Sequence, residues 1–136
     1  MYPAEVVAPM KEDLSSAGFQ ELTTPADVDQ AIAQPGATLV VLNSVCGCAA
    51  ANMRPGVKLS LENAKLPASL TTAFAGVDKD AVDRARKFML PYPPSSPCIA
   101  LFVDGKLAHM IERHHIEGRT AQMVSDNLKG AYDAHC

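Results

Sequence analysis

An uninterrupted apolar run, TLVVLN at residues 38–43, is the feature that most restricts how this chain can fold. Turn-forming residues border the run, and it lacks the strict alternation of apolar and polar residues that a half-exposed strand shows. Such a run is typical of a strand that is covered on both faces of a sheet. Strand-like and helical segments alternate along the rest of the chain. This pattern predicts an α/β fold with a mixed central sheet and helices on both faces.

The remaining segments follow from apolar spacing and from the residues that begin and end helices. Helices are predicted at 4–17, 24–34, 47–64, 78–89 and 119–135, and further strands at 19–23 and 70–76. Residues 98–113 are predicted to form a hairpin about Asp104-Gly105, a strong two-residue turn signal. Pro55 lies inside the third helix and is expected to kink it. With no linker and no repeat, residues 1–136 are predicted to form a single domain.

Composition excludes several classes of function. The net charge of −3 gives no reason to expect binding to nucleic acid or to an anionic membrane surface. No apolar run approaches the roughly 20 residues of a membrane span, and the N-terminus lacks the pattern of a signal peptide. We therefore expect a cytoplasmic protein. In that reducing compartment, the four cysteines are not expected to form structural disulfides.

Two of the cysteines, Cys46 and Cys48, are separated by Gly47 directly after the 38–43 run. They are predicted to lie at the carboxyl end of a buried strand where a helix begins, which is where open α/β sheets usually place their sites. The helix N-terminus favours a thiolate, so Cys46 is expected to be the nucleophile and Cys48 the more sheltered sulfur. Gly47 tolerates a positive φ, which would let the two sulfurs meet. The ring that a Cys-Gly-Cys disulfide closes is tight, so we expect either a relatively oxidising couple or a thiolate that works mainly through mixed disulfides.

A second segment, SSPC at 95–98, supports this placement. Pro97 is the candidate for a cis proline that faces the redox cysteine, with Ser96 beside it. Asn43 and Ser44 are expected to hydrogen-bond the turn before Cys46. Arg54 is expected to be solvated, although an arginine there would also suit an acidic low-molecular-weight thiol.

Four motifs, VLNSVCGCAAANMRPG, PSSPCIALFVDGK, RHHIEG and the terminal DAHC, together resemble the bacilliredoxin family over essentially the whole chain. The resemblance implies a thioredoxin-like fold and thiol–disulfide exchange. It implies removal of the small thiol bacillithiol, as co-substrate and without any other cofactor, from mixed disulfides on oxidised proteins. Cys46 would attack, Cys48 or a second small thiol would resolve the adduct, and an external reductase would close the cycle. A disulfide isomerase activity is also implied.

The chain departs from the family pattern at two positions. Ala51 stands where glycine is expected, and Cys98 follows the proline where a small residue without a thiol is expected. Cys98 begins an apolar strand, so a buried, inert thiol is the simpler interpretation. Cys136, at the terminus, is left between an incidental thiol and one that packs or forms mixed disulfides. His114 and His115 are expected at the end of a strand, and Arg113 and Glu117 are expected to be surface charges.

Two other functions stay open on the residues alone. The first is a metal carrier or sensor that binds zinc, copper or iron through Cys46 and Cys48, with ligands added from His114, His115, Cys98 or Cys136. The second is a redox-sensing interaction protein that oxidises without turnover.

Overall fold

The computed structural model describes residues 2–136. Its helices are α1 (Ala4–Ser15), α2 (Pro25–Ile32), α3 (Arg54–Ser60), α4 (Lys79–Phe88) and α5 (Ala121–His135). Its strands are β1 (Gln20–Glu21), β2 (Ala37–Asn43), β3 (Ser69–Phe74), β4 (Cys98–Val103) and β5 (Lys106–Ile111). A π-helical turn, Ala49–Met53, precedes α3, and a 3-10 turn, Arg113–His115, follows β5. No helix of residues 2–136 is both long enough and apolar enough to cross a bilayer.

The five strands form one mixed sheet in the order β1-β3-β2-β4-β5. β3 pairs in parallel with both β1 and β2, whereas β4 runs antiparallel to β2 and to β5. The predicted run at 38–43 is therefore a central strand with partners on both sides, and all of β2 is buried. The predicted mixed sheet is confirmed.

Successive residues of β2 face opposite sides of the sheet, and each side carries its own core. Leu39 and Val41 pack with residues of α1, α3 and α5 in one apolar cluster. Val40 and Leu42 pack with residues of α2 and α4 in the other. This division places helices on both faces, as the sequence predicts, and it explains why β2 lacks a polar face.

Short sequence signals determine where several of the helices and strands begin or end. The Thr24 side chain accepts a hydrogen bond from the Asp27 backbone N–H over 3.1 Å, and the Asp27 carboxylate accepts one from the Thr24 N–H in return, which fixes the start of α2. Asp104 and Gly105 have φ values of 50° and 83°, the left-handed pair that a tight hairpin turn requires. The hairpin prediction is therefore confirmed.

The predicted helix at 47–64 is wrong as a single kinked helix. Pro55 has no N–H, so it cannot make the usual helical bond to the carbonyl four residues earlier. The chain instead forms the π-helical turn, in which the Arg54 N–H bonds to the Ala49 carbonyl five residues back. Pro55 then lies in the first turn of α3, where its missing donor is tolerated, and α3 ends at Ser60.

Two further boundaries differ from the sequence predictions. The strand predicted at 19–23 is reduced to the two residues of β1. His114 and His115 lie in the 3-10 turn after β5 and do not end a strand. An N-terminal residue of that turn, Glu112, donates its backbone N–H to the His115 ring nitrogen over 3.1 Å. This local bond turns the chain away from the sheet.

Candidate redox site

The site is built on the end of β2, where Asn43 and Ser44 are both buried. The Asn43 side-chain oxygen accepts from the Ser44 N–H over 2.9 Å, and its amide donates to the Met10 carbonyl over 3.0 Å. The Ser44 hydroxyl in turn accepts from the Cys46 N–H over 3.2 Å. The structural role expected for Asn43 and Ser44 is what the geometry shows, since both hold the turn before Cys46.

Arg54 is buried at this end of the sheet, with 6 % of its surface exposed. Its guanidinium donates to the Asn43 side-chain oxygen and to the Ser44 carbonyl, each over 3.0 Å. Its Nε lies 3.3 Å from an Asp13 carboxylate oxygen on α1. The expectation of a solvated Arg54 is therefore wrong, because its donors are taken up by strand and helix groups. Because these donors already bond to protein groups, they are not directed at a ligand.

The Cys46 and Cys48 sulfurs lie 2.9 Å apart as free, half-buried thiols. Hydrogen bonds from the side chain and backbone of Cys48 lower the pKa of Cys46, and the charge of Arg113 lowers it further. Burial, followed by the hydrogen bond and charge of Cys46, raises the pKa of Cys48 to about 11. Their environments thus separate the two thiols: Cys46 is the more acidic one, and Cys48 is the one that holds its proton more tightly.

Gly47 joins the two cysteines without the positive φ that the sequence argument assigned to it. It is absent from the residues of 2–136 with left-handed φ, and a Cβ added there would meet nothing within 4 Å. Both the Ala49 and the Ala50 N–H donate to the Cys46 carbonyl, as in the first turn of a helix. The Ala49 backbone also favours the Cys46 thiolate, a small effect of the helix start.

The loop before β4 confirms the cis proline. The Ser96-Pro97 peptide bond is cis, and Ser96 shares a cavity wall with Cys46. A second cis bond, Leu90-Pro91, lies in the same connection and was not predicted.

Arg113 is the site residue that the sequence argument missed. Its guanidinium donates to the Cys46 sulfur and to the Ser96 carbonyl, each over 3.2 Å, and pairs with the Glu117 carboxylate over 3.1 Å. One side chain therefore joins the nucleophile to the cis-proline loop. The four-residue spacing of Arg113 and Glu117 was a visible signal of a fixed arginine, but nothing local pointed to Cys46.

The other two thiols lie in contrasting surroundings. Cys98 is 1 % exposed, and burial raises its pKa to about 12, which agrees with the expectation of a buried, inert thiol. Cys136 follows the last residue of α5 and is exposed.

The ligands that a metal site would need do not converge on the cysteine pair. Within residues 2–136, the potential ligands that gather three together are Glu112, His114 and His115, with donor atoms inside 4.8 Å of one another. Neither Cys46 nor Cys48 belongs to that group. A zinc site built on Cys46 and Cys48 would therefore lack its third and fourth ligands.

Comparisons with known proteins agree with this geometry. A sequence model of a family described as Disulphide isomerase matches residues 2–136. A bacilliredoxin from Cytophaga hutchinsonii is 61 % identical over 133 residues, covering 98 % of both chains. Bacilliredoxins from Bacillus cereus and Staphylococcus aureus are 47 % and 45 % identical, covering 97 % and 100 % of this chain and 92 % and 94 % of theirs.

Solved structures show the same fold at low sequence identity. Mitochondrial thioredoxin 3 from Saccharomyces cerevisiae superposes with a TM-score of 0.58 at 16 % identity, covering 90 % of this chain and 98 % of its own. A variant thioredoxin from Halobacterium salinarum also gives 0.58, at 15 % identity, with 88 % and 91 % covered. The fold is thioredoxin-like, and the chain belongs to the bacilliredoxin family.

Proposed function

We propose that this protein is a thiol–disulfide oxidoreductase that removes bacillithiol from mixed disulfides on oxidised proteins. Family membership and the thioredoxin fold support a thiol oxidoreductase. The observation that carries the proposal is the pair of sulfurs 2.9 Å apart, with the pKa of Cys46 lowered and that of Cys48 raised. The names of the relatives support bacillithiol as the small thiol.

In the first step, the Cys46 thiolate attacks the bacillithiol sulfur of the mixed disulfide. A new disulfide forms between Cys46 and bacillithiol, the old sulfur–sulfur bond breaks, and the client protein leaves as a thiolate. Arg113 and the Cys48 S–H stabilise the attacking thiolate. Ser96, which precedes the cis Pro97, lines the cavity beside Cys46 where the substrate disulfide would lie.

In the second step, Cys48 attacks Cys46 and releases bacillithiol, leaving a Cys46–Cys48 disulfide. Two of the causes that raise the pKa of Cys48, its hydrogen bond to Cys46 and the charge of that thiolate, disappear once Cys46 is bonded to bacillithiol. Burial of Cys48 remains, and Arg113 favours its thiolate. Formation of the adduct therefore activates the resolving thiol, whose proton passes to the released bacillithiol or to water.

An external reductase closes the cycle by returning Cys46 and Cys48 to thiols with two electrons. The partners of the protein are then oxidised or bacillithiolated proteins, the small thiol and that reductase. The reducing cytoplasm is the compartment in which this cycle runs.

A disulfide isomerase activity is a second candidate, supported by the description of the matching family model. It needs the same Cys46 attack, but on a disulfide between two protein cysteines. Recovery of activity from scrambled ribonuclease would test it, and Cys46→Ser should abolish that recovery.

The main experiment measures the intact mass of wild-type protein and of Cys48→Ser after brief exposure to oxidised bacillithiol. The expected result is one bacillithiol on Cys46 in Cys48→Ser, and the loss of two hydrogens without an adduct in the wild type. A stable adduct on both proteins would show that Cys48 does not resolve. The absence of reaction at Cys46 would overturn the proposal, as would full activity of Cys46→Ser on a bacillithiolated protein.

A further inference from the structure

A cavity of about 450 Å³ opens beside the candidate nucleophile. Cys46 and Ser96 line one side of it, and Arg113 lines the side where its guanidinium meets the Cys46 sulfur. Arg86 of α4 and Tyr2 also line the cavity. This volume lies within the range of pockets that hold small organic ligands.

The charge of this cavity is opposite to that of the protein. Its charged lining residues are Arg86 and Arg113, and no aspartate or glutamate of residues 2–136 lines it, although the chain carries a net charge of −3. Glu117 offsets part of the Arg113 charge from outside the cavity. Arg86 is in no salt bridge within residues 2–136. The cavity therefore favours an anion.

Arg86 also has hydrogen-bonding capacity that the protein leaves unused. Its Nε is buried and has no partner among residues 2–136. Its one hydrogen bond, to the Ser95 carbonyl, is 3.5 Å long. Arg84, two residues earlier on the same helix, is by contrast fully engaged with the Asp29 carboxylate through two contacts of 2.7 and 3.3 Å. Buried N–H groups are nearly always paired, so Arg86, which lines the cavity, is a guanidinium whose hydrogen bonds the protein leaves largely unmade.

The aromatic ring that lines the cavity belongs to Tyr2, and it lies against the backbone of Gly76. Gly76 has a φ of 86°, and a Cβ added there would lie 2.9 Å from the Tyr2 ring. Only a residue without a side chain lets the ring take this position. The cavity thus combines a nucleophile, an apolar wall and two guanidinium groups.

We infer that this cavity binds the carboxylate-bearing half of a small-thiol disulfide, with Arg86 as the residue that determines specificity for the anion. The inference rests on the proposed function, in which Cys46 attacks the sulfur of that half. A carboxylate bound by Arg86 and Arg113 holds the small-thiol sulfur next to Cys46 and leaves the client protein outside the cavity. It therefore explains which of the two substrate sulfurs is attacked.

The test compares two disulfides that differ in charge alone. They are the symmetric disulfides of the dipeptides N-acetyl-cysteinyl-aspartyl amide and N-acetyl-cysteinyl-asparaginyl amide. In a background of Cys48→Ser and Cys136→Ser, Cys46 displaces one dipeptide thiolate and keeps the other as a mixed disulfide. The rate of adduct formation, followed by intact mass, gives the preference for the aspartyl over the asparaginyl disulfide.

The inference predicts that this background protein prefers the aspartyl disulfide, and that Arg86→Gln lowers the preference by about three- to tenfold. Lys87→Gln is the matched control, since it removes one exposed positive charge from the same helix, and it should leave the preference unchanged. The preference should also fall as salt is added.

Two results would overturn the inference: equal rates with both disulfides in the background protein, or a preference that Arg86→Gln leaves intact. If Arg86→Gln proves unstable, the charge preference of the background protein and its salt dependence test the binding of an anion in the cavity, and the absence of either overturns the inference. A failure of the proposed function gives a different result, because Cys46 would then react with neither disulfide.

Discussion

At the scale of single residues, the reactivity of Cys46 depends on the guanidinium of Arg113, which donates to its sulfur over 3.2 Å. Arg113→Gln removes a positive charge that lowers the pKa of Cys46. A higher pKa leaves less thiolate at neutral pH, so alkylation of Cys46 by iodoacetamide at pH 7 should slow by about two- to fivefold, as expected for a partly exposed charge pair. Above both pKa values the variant should react at least as fast, because a more basic thiolate is more nucleophilic.

The measurement is the rate of Cys46 alkylation as a function of pH for wild type and variant. The rise of the variant's profile should lie at higher pH, and the two profiles should cross. Arg119→Gln removes an exposed positive charge from the same connection and should leave the profile in place. A uniform drop of rate at every pH would show that Arg113 affects access and not ionisation.

How much of the site could be predicted depends on whether its signals are local in sequence. Cys46, Cys48 and Pro97 lie in short motifs, from which the meeting of the two sulfurs and the cis peptide bond could both be predicted. Arg113 lies 67 residues from Cys46, and that contact exists only after the sheet has formed. The spacing of Arg113 and Glu117 indicates a local ion pair, but no local pattern connects Arg113 with Cys46.

At the scale of elements, Arg54 joins α3 to the end of β2 and to α1. Arg54→Met keeps the length of the side chain but leaves the Ser44 carbonyl without the guanidinium donor and Asp13 with Lys58 as its remaining partner. The free energy of unfolding should fall by about 2 kcal/mol, the order expected when a hydrogen-bonded buried group loses its charged donor. Urea denaturation measures this loss.

Lys58→Met supplies the control, because Lys58 pairs with the same Asp13 carboxylate from an exposed position on the same helix. That variant should cost less than about 1 kcal/mol. Equal losses in the two variants would show that the pair with Asp13, and not the contacts to β2, accounts for the role of Arg54.

The burial of Arg54 and the π-helical turn are linked, and neither follows from helix propensity. Apolar spacing predicts a regular helix, and Pro55 predicts an interruption without saying what form it takes. Tertiary contacts decide the form. The π-helical turn places Arg54 at the end of β2, where the Asn43 side-chain oxygen and the Ser44 carbonyl accept hydrogen bonds from its guanidinium. The sequence argument placed Arg54 in solvent because these acceptors lie 10 and 11 residues away.

At the scale of the whole molecule, the order of helices and strands along the chain was predicted, because apolar periodicity is a local property. The strand order β1-β3-β2-β4-β5 was not predicted. It depends on which non-neighbouring strands pair, and the continuous apolar run of β2 indicates only that the strand is covered. The hairpin of β4 and β5 was predicted because its turn signal lies between its two strands.

The burial of Cys98 in the central sheet yields a prediction for the whole molecule. Cys98 is 1 % exposed, pairs in register with Leu42 of β2, and has its pKa raised by burial to about 12. A thiol in this setting reacts only when the sheet opens, so its alkylation rate should follow global unfolding. In a pulse of iodoacetamide at increasing urea, labelling of Cys98 should rise together with the loss of circular dichroism.

Cys136, which is exposed, should label without urea and serves as the internal control. Labelling of Cys98 as fast as that of Cys46 in the folded protein would contradict the prediction and would bring a third thiol into the exchange chemistry.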